Sequence, residues 1–350
     1  MADNTKIEWA DATLNYVNGC TRVSSGCVNC YAERWSATRL RNVPSRAGLA
    51  EMTENGPRWT GKINIDDRAL DQAMRWRRPR RIFWNAHGDL FHEAVPDEAI
   101  DRLFAVCALT PQHTHMILTK RSARMREYMA QLDDYALHET PEYRTASYRV
   151  DCDDDPNGSD AWHARTAQLE EAICKISNTL GNGLPLPNVW LGVSVEDQQR
   201  ANERREDFEA TPAAVKFVSY EPALGAVDWT GWEFIHQIIG GGESGPNARP
   251  CHPDWQRAAR DFCQPRGIAY FFKQWGEWSP REWKADQGTH AMHRNAPGYG
   301  AFQKIQSHPN SIERTSTGEG WQAFAKLGKK AAGRLLDGIE HNGFPSRLTD

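Results

Sequence analysis

Short apolar runs alternate along the chain with longer stretches in which apolar residues recur three or four positions apart. The runs are residues 81–86 (RIFWNA), 115–119 (HMILT), 189–195 (VWLGVSV), 215–220 (VKFVSY), 234–239 (FIHQII) and 268–272 (IAYFF). They are rich in Val, Ile, Phe and Trp and do not alternate cleanly with polar residues. That pattern predicts strands buried on both faces, as in a parallel sheet. Residues 96–109 (PDEAIDRLFAVCAL) open with Pro and acids and continue at helical spacing, which predicts a helix beginning at the proline. Residues 197–209 predict a charged, exposed helix, and residues 253–263 (PDWQRAARDFC) another opened by Pro. Strand–helix alternation predicts an α/β fold, either a barrel or an open doubly wound sheet.

The rhythm breaks between about residues 132 and 187, which predicts an insertion with a helix near residues 161–180. The division expected is 1–131 for the N-terminal part of a barrel with a cysteine loop, 132–187 for the insertion, 188–290 for the C-terminal part and 291–350 for a C-terminal extension. A short helix is expected at residues 320–336. Within the insertion, Asp153, Asp155, Asn157 and Gly158 match positions 1, 3, 5 and 6 of a calcium loop. Position 12 is Ala164, where a bidentate Glu is needed, so a solvated turn is expected instead.

Composition narrows the class. At 350 residues the chain suits two domains or one large barrel. A hydrophobic fraction of 39% with 25% charged residues supports a sizeable core and excludes wholesale disorder. The net charge of −4 excludes a globally basic nucleic-acid coat, though not a local basic groove. No apolar run approaches the length of a membrane span, and the start Met1-Ala-Asp-Asn-Thr-Lys6 lacks the apolar core of a signal peptide. A cytoplasmic protein that does not engage a membrane is expected.

Of eight cysteines, only Cys20, Cys27 and Cys30 cluster, in GCTRVSSGCVNCYAER with spacing C-x6-C-x2-C. A tight cluster in a cytosolic chain points to metal binding or catalysis. Three thiolates on one loop can hold three irons of a [4Fe–4S] cube and leave the fourth open. An open iron can chelate the amino and carboxylate groups of S-adenosylmethionine. A structural zinc wants a fourth ligand, which His252 beside Cys251 could provide. Three unrelated buried cysteines are the remaining alternative.

Almost every expected strand runs into polar residues. These are Asp89 and His92, then Thr119-Lys120-Arg121, Ser194 and Glu196, Glu221-Pro222, Gly240-Gly241-Gly242-Glu243, and Lys273-Gln274-Trp275. Parallel barrels collect their active sites at strand C-termini, so a polar cavity over an apolar barrel is expected. Consecutive glycines allow close backbone approach to a ligand, and exposed N–H groups there could hold a carboxylate or ribose. Their spacing is neither a Walker loop nor a dinucleotide fingerprint. The segment Arg75-Trp76-Arg77-Arg78-Pro79-Arg80-Arg81 interleaves arginines with an aromatic ring, which suits nucleic acid, or is a solvated helix end. His113 and His115 lie at the start of a strand, the wrong end for the site, and read as structural. His92 lies at the right end and is an acid/base candidate.

Several motifs together resemble one family. They are Lys6-Ile-Glu-Trp-Ala-Asp-Ala-Thr-Leu-Asn15, the three cysteines with Tyr31-Ala-Glu33, Asp89-Leu-Phe-His-Glu93 and Leu118-Thr-Lys-Arg121. Gly242-Glu-Ser-Gly-Pro-Asn-Ala-Arg-Pro250, Phe272-Lys-Gln-Trp-Gly276 and Ala332-Gly-Arg-Leu-Leu-Asp-Gly338 complete the set. The chain thereby resembles a phage- and prophage-encoded three-cysteine family that is similar to radical S-adenosylmethionine enzymes. The resemblance spans nearly everything outside residues 132–187. The commonest radical enzymes use C-x3-C-x2-C, so the first loop is longer here.

The resemblance implies a partial (β/α) barrel of radical-SAM type, with a [4Fe–4S] cluster on Cys20, Cys27 and Cys30. It also implies reductive cleavage of S-adenosylmethionine by an external electron donor. Phage relatives look connected to thymidine hypermodification, in which an N-linked glycinyl group on the thymine methyl carbon is converted to the C-linked form. DNA or a modified thymidine nucleotide is then the partner. A radical on the glycine α-carbon is stabilised by its amine and carboxylate neighbours. Its carboxylate needs a cation, for which Lys120, Arg121 and Lys273 are candidates. Asp89, Ser194, Glu196, Gly240, Gly241, Gly242 and Glu243 are candidates for S-adenosylmethionine contacts, with Tyr31 beside the cluster. Lys120, Glu243 and Lys273 are the catalytic candidates. Arg121, Glu221, Trp275, Arg78 and Arg80 are the substrate-binding ones. Two alternatives stand beside this reading: a radical DNA-lesion repair lyase, and a zinc-stabilised nucleic-acid-binding protein without catalysis.

Overall fold

The computed structural model describes residues 2–3, 5–138, 185–281, 289–293, 303–305 and 321–345. The helix and the calcium-like loop expected within the insertion lie outside the described residues. Seven parallel strands carry the fold: β1 (Ala12–Leu14), β2 (Arg81–Trp84), β3 (Thr114–Thr119), β4 (Val189–Ser194), β5 (Val215–Tyr220), β6 (Gln237–Gly241) and β7 (Ala269–Gln274). Their order in the sheet follows their order in the chain, with the short strand Ala2–Asp3 antiparallel beside β1. A doubly wound sheet reverses direction at a switch point. The uninterrupted order found here is instead the one a β/α barrel requires. The chain is mixed α/β, and of the two architectures open to the sequence the strand order favours the barrel type.

The principal helices are α1 (Tyr31–Ala37), α2 (Arg68–Arg75), α3 (Asp97–Leu109), α4 (Ser122–His138), α5 (Gln198–Ala210) and α6 (Pro253–Cys263). Among the described residues, no helix is long and apolar enough to cross a membrane. Two compact units divide the chain. The first comprises Met1–Thr21, Ser36–Leu191 and Asp207–Val215; the second comprises Arg22–Trp35, Gly192–Glu206 and Lys216–Asp350.

In the first unit, Ile82 and Trp84 of β2 and Met116 and Ile117 of β3 are wholly buried. Helix α3 carries Asp97 and Glu98 in its first turn, where acids complement the helix dipole. Its buried residues Ile100, Leu103, Phe104 and Cys107 fall at three- and four-residue spacing. Thr110 ends the helix, and its hydroxyl meets His115 Nε2 at 3.0 Å. Trp84 Nε1 donates to His115 Nδ1 at 3.0 Å, so the proton of this ring sits on Nε2. His113 Nε2 meets the Trp76 carbonyl at 3.0 Å. Both histidines are therefore core groups at the N-terminal end of β3.

Burial pushes His115 down to about 3. A histidine held neutral in the folded state takes up a proton on unfolding below its ordinary value. Stability is thus fully present above about pH 6.5 and falls as the pH drops toward 3. One such ring costs about 2 kcal/mol between pH 6.5 and 4.5. Urea unfolding at those two pH values is expected to show His115→Gln losing about 2 kcal/mol less than wild type over the same interval. Equal losses in the two proteins would refute the assignment.

In the second unit, α6 begins where the sequence pattern places it, with Pro253 at its first position and His252 as N-cap, Nδ1 accepting from the Asp254 amide at 3.2 Å. The helix expected at residues 320–336 is not formed. A strand, Trp321–Lys326, pairs antiparallel with Trp278–Arg281, and a single helical turn follows at Lys329–Ala332. Cross-strand pairing, with Phe324 buried, overrides the helix preference of its alanines.

Candidate functional site

In the first unit the C-terminal ends of β2 and β3 converge on Asp89, a buried carboxylate with every contact directed inward. Its Oδ1 accepts from the Thr119 hydroxyl at 2.7 Å and the Phe91 amide at 3.0 Å. Its Oδ2 accepts from Arg121 Nη1 at 2.9 Å and the Lys120 amide at 3.3 Å. Arg121 also donates to Glu93 and Thr21, and reaches Cys20 Sγ at 3.6 Å. Burial alone would lower the Arg121 pKa, but Asp89, Cys20 and Glu93 outweigh it and the net shift is upward. Asp89 and Arg121 are thus committed to each other rather than turned toward ligand. The Lys120 side chain is half-buried beside them. His92 accepts from the Ala94 amide through Nδ1 at 3.1 Å, so its Nε2 proton points at Thr21 Oγ1, 3.1 Å away. Burial and then Arg121 hold its pKa below the ordinary value. Its ring links the end of β2 to Thr21 of the cysteine segment.

In the second unit two buried carboxylates brace the loop that carries Cys27 and Cys30. Glu196, fully buried, accepts from Ser24 Oγ at 2.7 Å and from Arg204 Nη1 at 2.8 Å. Arg204 Nη1 also reaches the Ser194 carbonyl at 2.6 Å. A Cβ on Gly26 would lie 2.5 Å from Glu196 Oε1, so the loop needs glycine there to close on this carboxylate. Glu243 accepts from Asn29 Nδ2 at 2.9 Å, and from the Arg249 amide and Nε at 2.9 and 2.8 Å. Arg249 Nη2 continues to the Ser25 carbonyl at 3.0 Å. The contacts of Ser194, Glu196 and Glu243 are to the loop and its supporting arginines.

The third group in this unit is Glu221 with Lys273, at the ends of β5 and β7. Lys273 Nζ lies 2.9 Å from Glu221 Oε1 and 3.0 Å from Oε2, and Gln274 Nε2 donates to Oε1 at 3.3 Å. The pair is partly open, with side chains 13% and 18% exposed. It has a face left for solvent or ligand.

Other expectations are corrected by position. Gly240 packs under α6, where a Cβ would meet Gln256 Oε1 at 2.0 Å, and Gly241 lies against Glu221. At Gly242 a Cβ would meet the Trp275 carbonyl at 2.0 Å, and its N–H is spent on the Gln274 carbonyl at 2.8 Å. The glycines serve close packing of chain on chain rather than an open cradle. Trp275 is buried edge-on against Phe272, with Nε1 donating to the Leu335 carbonyl at 2.9 Å, so it is core and not a substrate platform. Arg78 and Arg80 precede β2, at the opposite end of that strand from Asp89, and Arg80 stacks over Trp76 at 4.6 Å. They are not gathered with the other candidates.

Cys20, Cys27 and Cys30 are partly exposed and in no disulfide, whereas Cys107, Cys251 and Cys263 are buried. Cys20 belongs to the first unit, and Cys27 and Cys30 to the second. Cys27 Sγ lies 3.7 Å from Ser24 Oγ. Desolvation raises the Cys30 thiol, and the charge of Cys27 adds to the rise. Tyr31 begins α1 immediately after Cys30, its ring edge-on to Trp35 at 5.1 Å. Among the described residues, no three His, Cys, Asp or Glu side chains converge as a metal-binding group. His252 caps α6 through Nδ1, and Cys251 accepts from Gln256 Nε2 at 3.3 Å. The donors on the loop are cysteine sulfurs on a segment held by outer contacts, a chemistry that suits a soft metal or an iron–sulfur cluster.

Sequence reading missed Ser24, Asn29, Arg204 and Arg249. A signal existed for Arg204. Ala201, Arg204 and Phe208 fall at three- and four-residue spacing on the otherwise charged helix α5, and all three are buried. The chain belongs to the family described as "Protein of unknown function (DUF5131)", which matches residues 4–345. No curated protein and no solved structure matches it.

Proposed function

We propose that this chain is a radical S-adenosylmethionine enzyme with a partial (β/α) barrel of that type, acting on thymidine derivatives of phage DNA. Its proposed reaction is the isomerisation of N-linked glycinyl-thymidine to the C-linked form. The observation that carries this reading is the cysteine loop. Two buried carboxylates, Glu196 and Glu243, are spent on bracing it, while its cysteines stay partly exposed. A loop whose outer contacts are that heavily built suits ligands that must keep their orientation.

Cys20, Cys27 and Cys30 would hold a [4Fe–4S] cluster. When bound, the cluster with S-adenosylmethionine supplies the 5′-deoxyadenosyl radical that removes a hydrogen from substrate. Lys273 supplies the cation for the glycine carboxylate, and Glu221 faces the substrate amine. This pair suits a zwitterionic amino-acid group, which favours the glycinyl substrate over a pyrimidine lesion carrying no such group. Arg121 is withdrawn from substrate binding because its donors are already engaged. The strands are largely apolar and buried, which suits a reaction that must exclude water and competing hydrogen donors.

Anaerobic purification with iron, sulfide and zinc analysis of wild type and Cys27→Ala tests the cofactor. About four irons and four sulfides per chain are expected in wild type, and loss of both in the variant. One zinc without sulfide would move the protein to the binding class. Product analysis on glycinyl-modified DNA against lesion-bearing DNA then separates isomerase from repair lyase.

A further inference from the structure

We propose that Arg121 is a positioning residue that sets the reduction potential of the cluster by donating to Cys20, an inference that rests on the cluster reading above. Every N–H of its guanidinium has an acceptor. Nε donates to Glu93 Oε1 at 2.9 Å. Nη1 donates to Asp89 Oδ2 at 2.9 Å and to Cys20 Sγ at 3.6 Å. Nη2 donates to Thr21 Oγ1 at 2.7 Å and approaches the Thr21 carbonyl at 3.5 Å. The side chain is 6% exposed and that of Asp89 is 7% exposed. A planar fork with five donors fills these positions; an ammonium group with three does not.

A clamp on Asp89 and Thr21 alone would not need a donor on sulfur. Here the guanidinium spans the buried carboxylate and the thiol, so that fixing one fixes the other. A hydrogen bond to a ligating sulfur withdraws electron density and favours the reduced cluster, which carries more negative charge. Burial strengthens the effect, because charge interactions are screened less away from water. Cys27 has a weaker neighbour. Its sulfur lies 3.7 Å from Ser24 Oγ, a hydroxyl whose proton is directed to Glu196. The charged donor therefore marks the Cys20 position among the three.

The experiment compares wild type, Arg121→Lys and Arg121→Gln, each anaerobically reconstituted. Iron and sulfide are measured together with the midpoint potential followed by absorption or EPR. Both variants are expected to keep wild-type iron and sulfide. Their potential is expected to fall, so that the reduced-to-oxidised ratio at the wild-type midpoint drops about tenfold, about 59 mV for a one-electron couple. Glu93→Gln, which alters a contact whose carboxylate is 67% exposed, is expected to leave the potential near wild type. Unchanged potentials in both Arg121 variants would overturn the proposal. So would iron loss with an unchanged potential in the cluster that is left, which marks a scaffold role only. Wild type without iron and sulfide refutes the cluster reading itself, and this inference with it, before any variant is compared.

Discussion

Arg204→Ala is expected to destabilise the protein by about 3–5 kcal/mol and to strip it of iron. Arg204 and Glu196 are 4% and 0% exposed, and their contact is 2.8 Å. Removing the cation leaves Glu196 buried without its guanidinium partner, or forces it to take up a proton. Both outcomes are costly, because a carboxylate without a partner loses its water and gains nothing in return. The loss passes to the cysteine loop through Ser24 and Gly26, which rest on the same carboxylate. The double variant Arg204→Met with Glu196→Gln removes both charges and is expected to recover much of the stability. Its iron content is expected to stay below wild type, since the Ser24 contact is weakened. Urea unfolding and iron analysis on the three proteins check this. A loss under about 0.5 kcal/mol in Arg204→Ala would show that the pair does not hold the loop.

The second large effect concerns catalysis. Lys273→Met is expected to lower kcat/KM on glycinyl-modified DNA by about 30- to 150-fold, the equivalent of a charge-assisted bond of about 2–3 kcal/mol. If Lys273 grips the carboxylate alike before and during the reaction, KM carries the change and kcat stays near wild type. Glu221→Gln is expected to weaken the same substrate less, since the cation is kept and only its partner is neutralised. Stability is expected to change by no more than about 1 kcal/mol in either variant, because the pair is partly open to solvent. Unchanged KM and kcat in Lys273→Met would place the carboxylate elsewhere, with the half-buried Lys120 as the next cation to test.

Much of the architecture was legible in local pattern. Six of the seven parallel strands follow apolar runs visible in the sequence, and α3, α5 and α6 begin within a residue of their expected starts. Strand β1 escaped because three residues are too few to show a period. The helix expected near the C-terminus failed because its alanines are recruited by a partner strand about forty residues earlier. The site divides in the same way. The three clustered cysteines and the polar strand ends could be read directly, whereas Trp275 is spent on the core and Arg78 and Arg80 lie at the other end of their strand from Asp89.

What the sequence determined by itself is the α/β rhythm, the sharing of one loop by three thiols, and the polar character of the strand ends. These follow from periodicity and spacing, which are local properties. What only the tertiary structure decided is which charges are spent and which are left for chemistry. Ser24 finds Glu196 across 172 residues, and Asn29 finds Glu243 across 214. A carboxylate's role depends on the donors that surround it, and donors so distant in the chain are brought to it by packing alone.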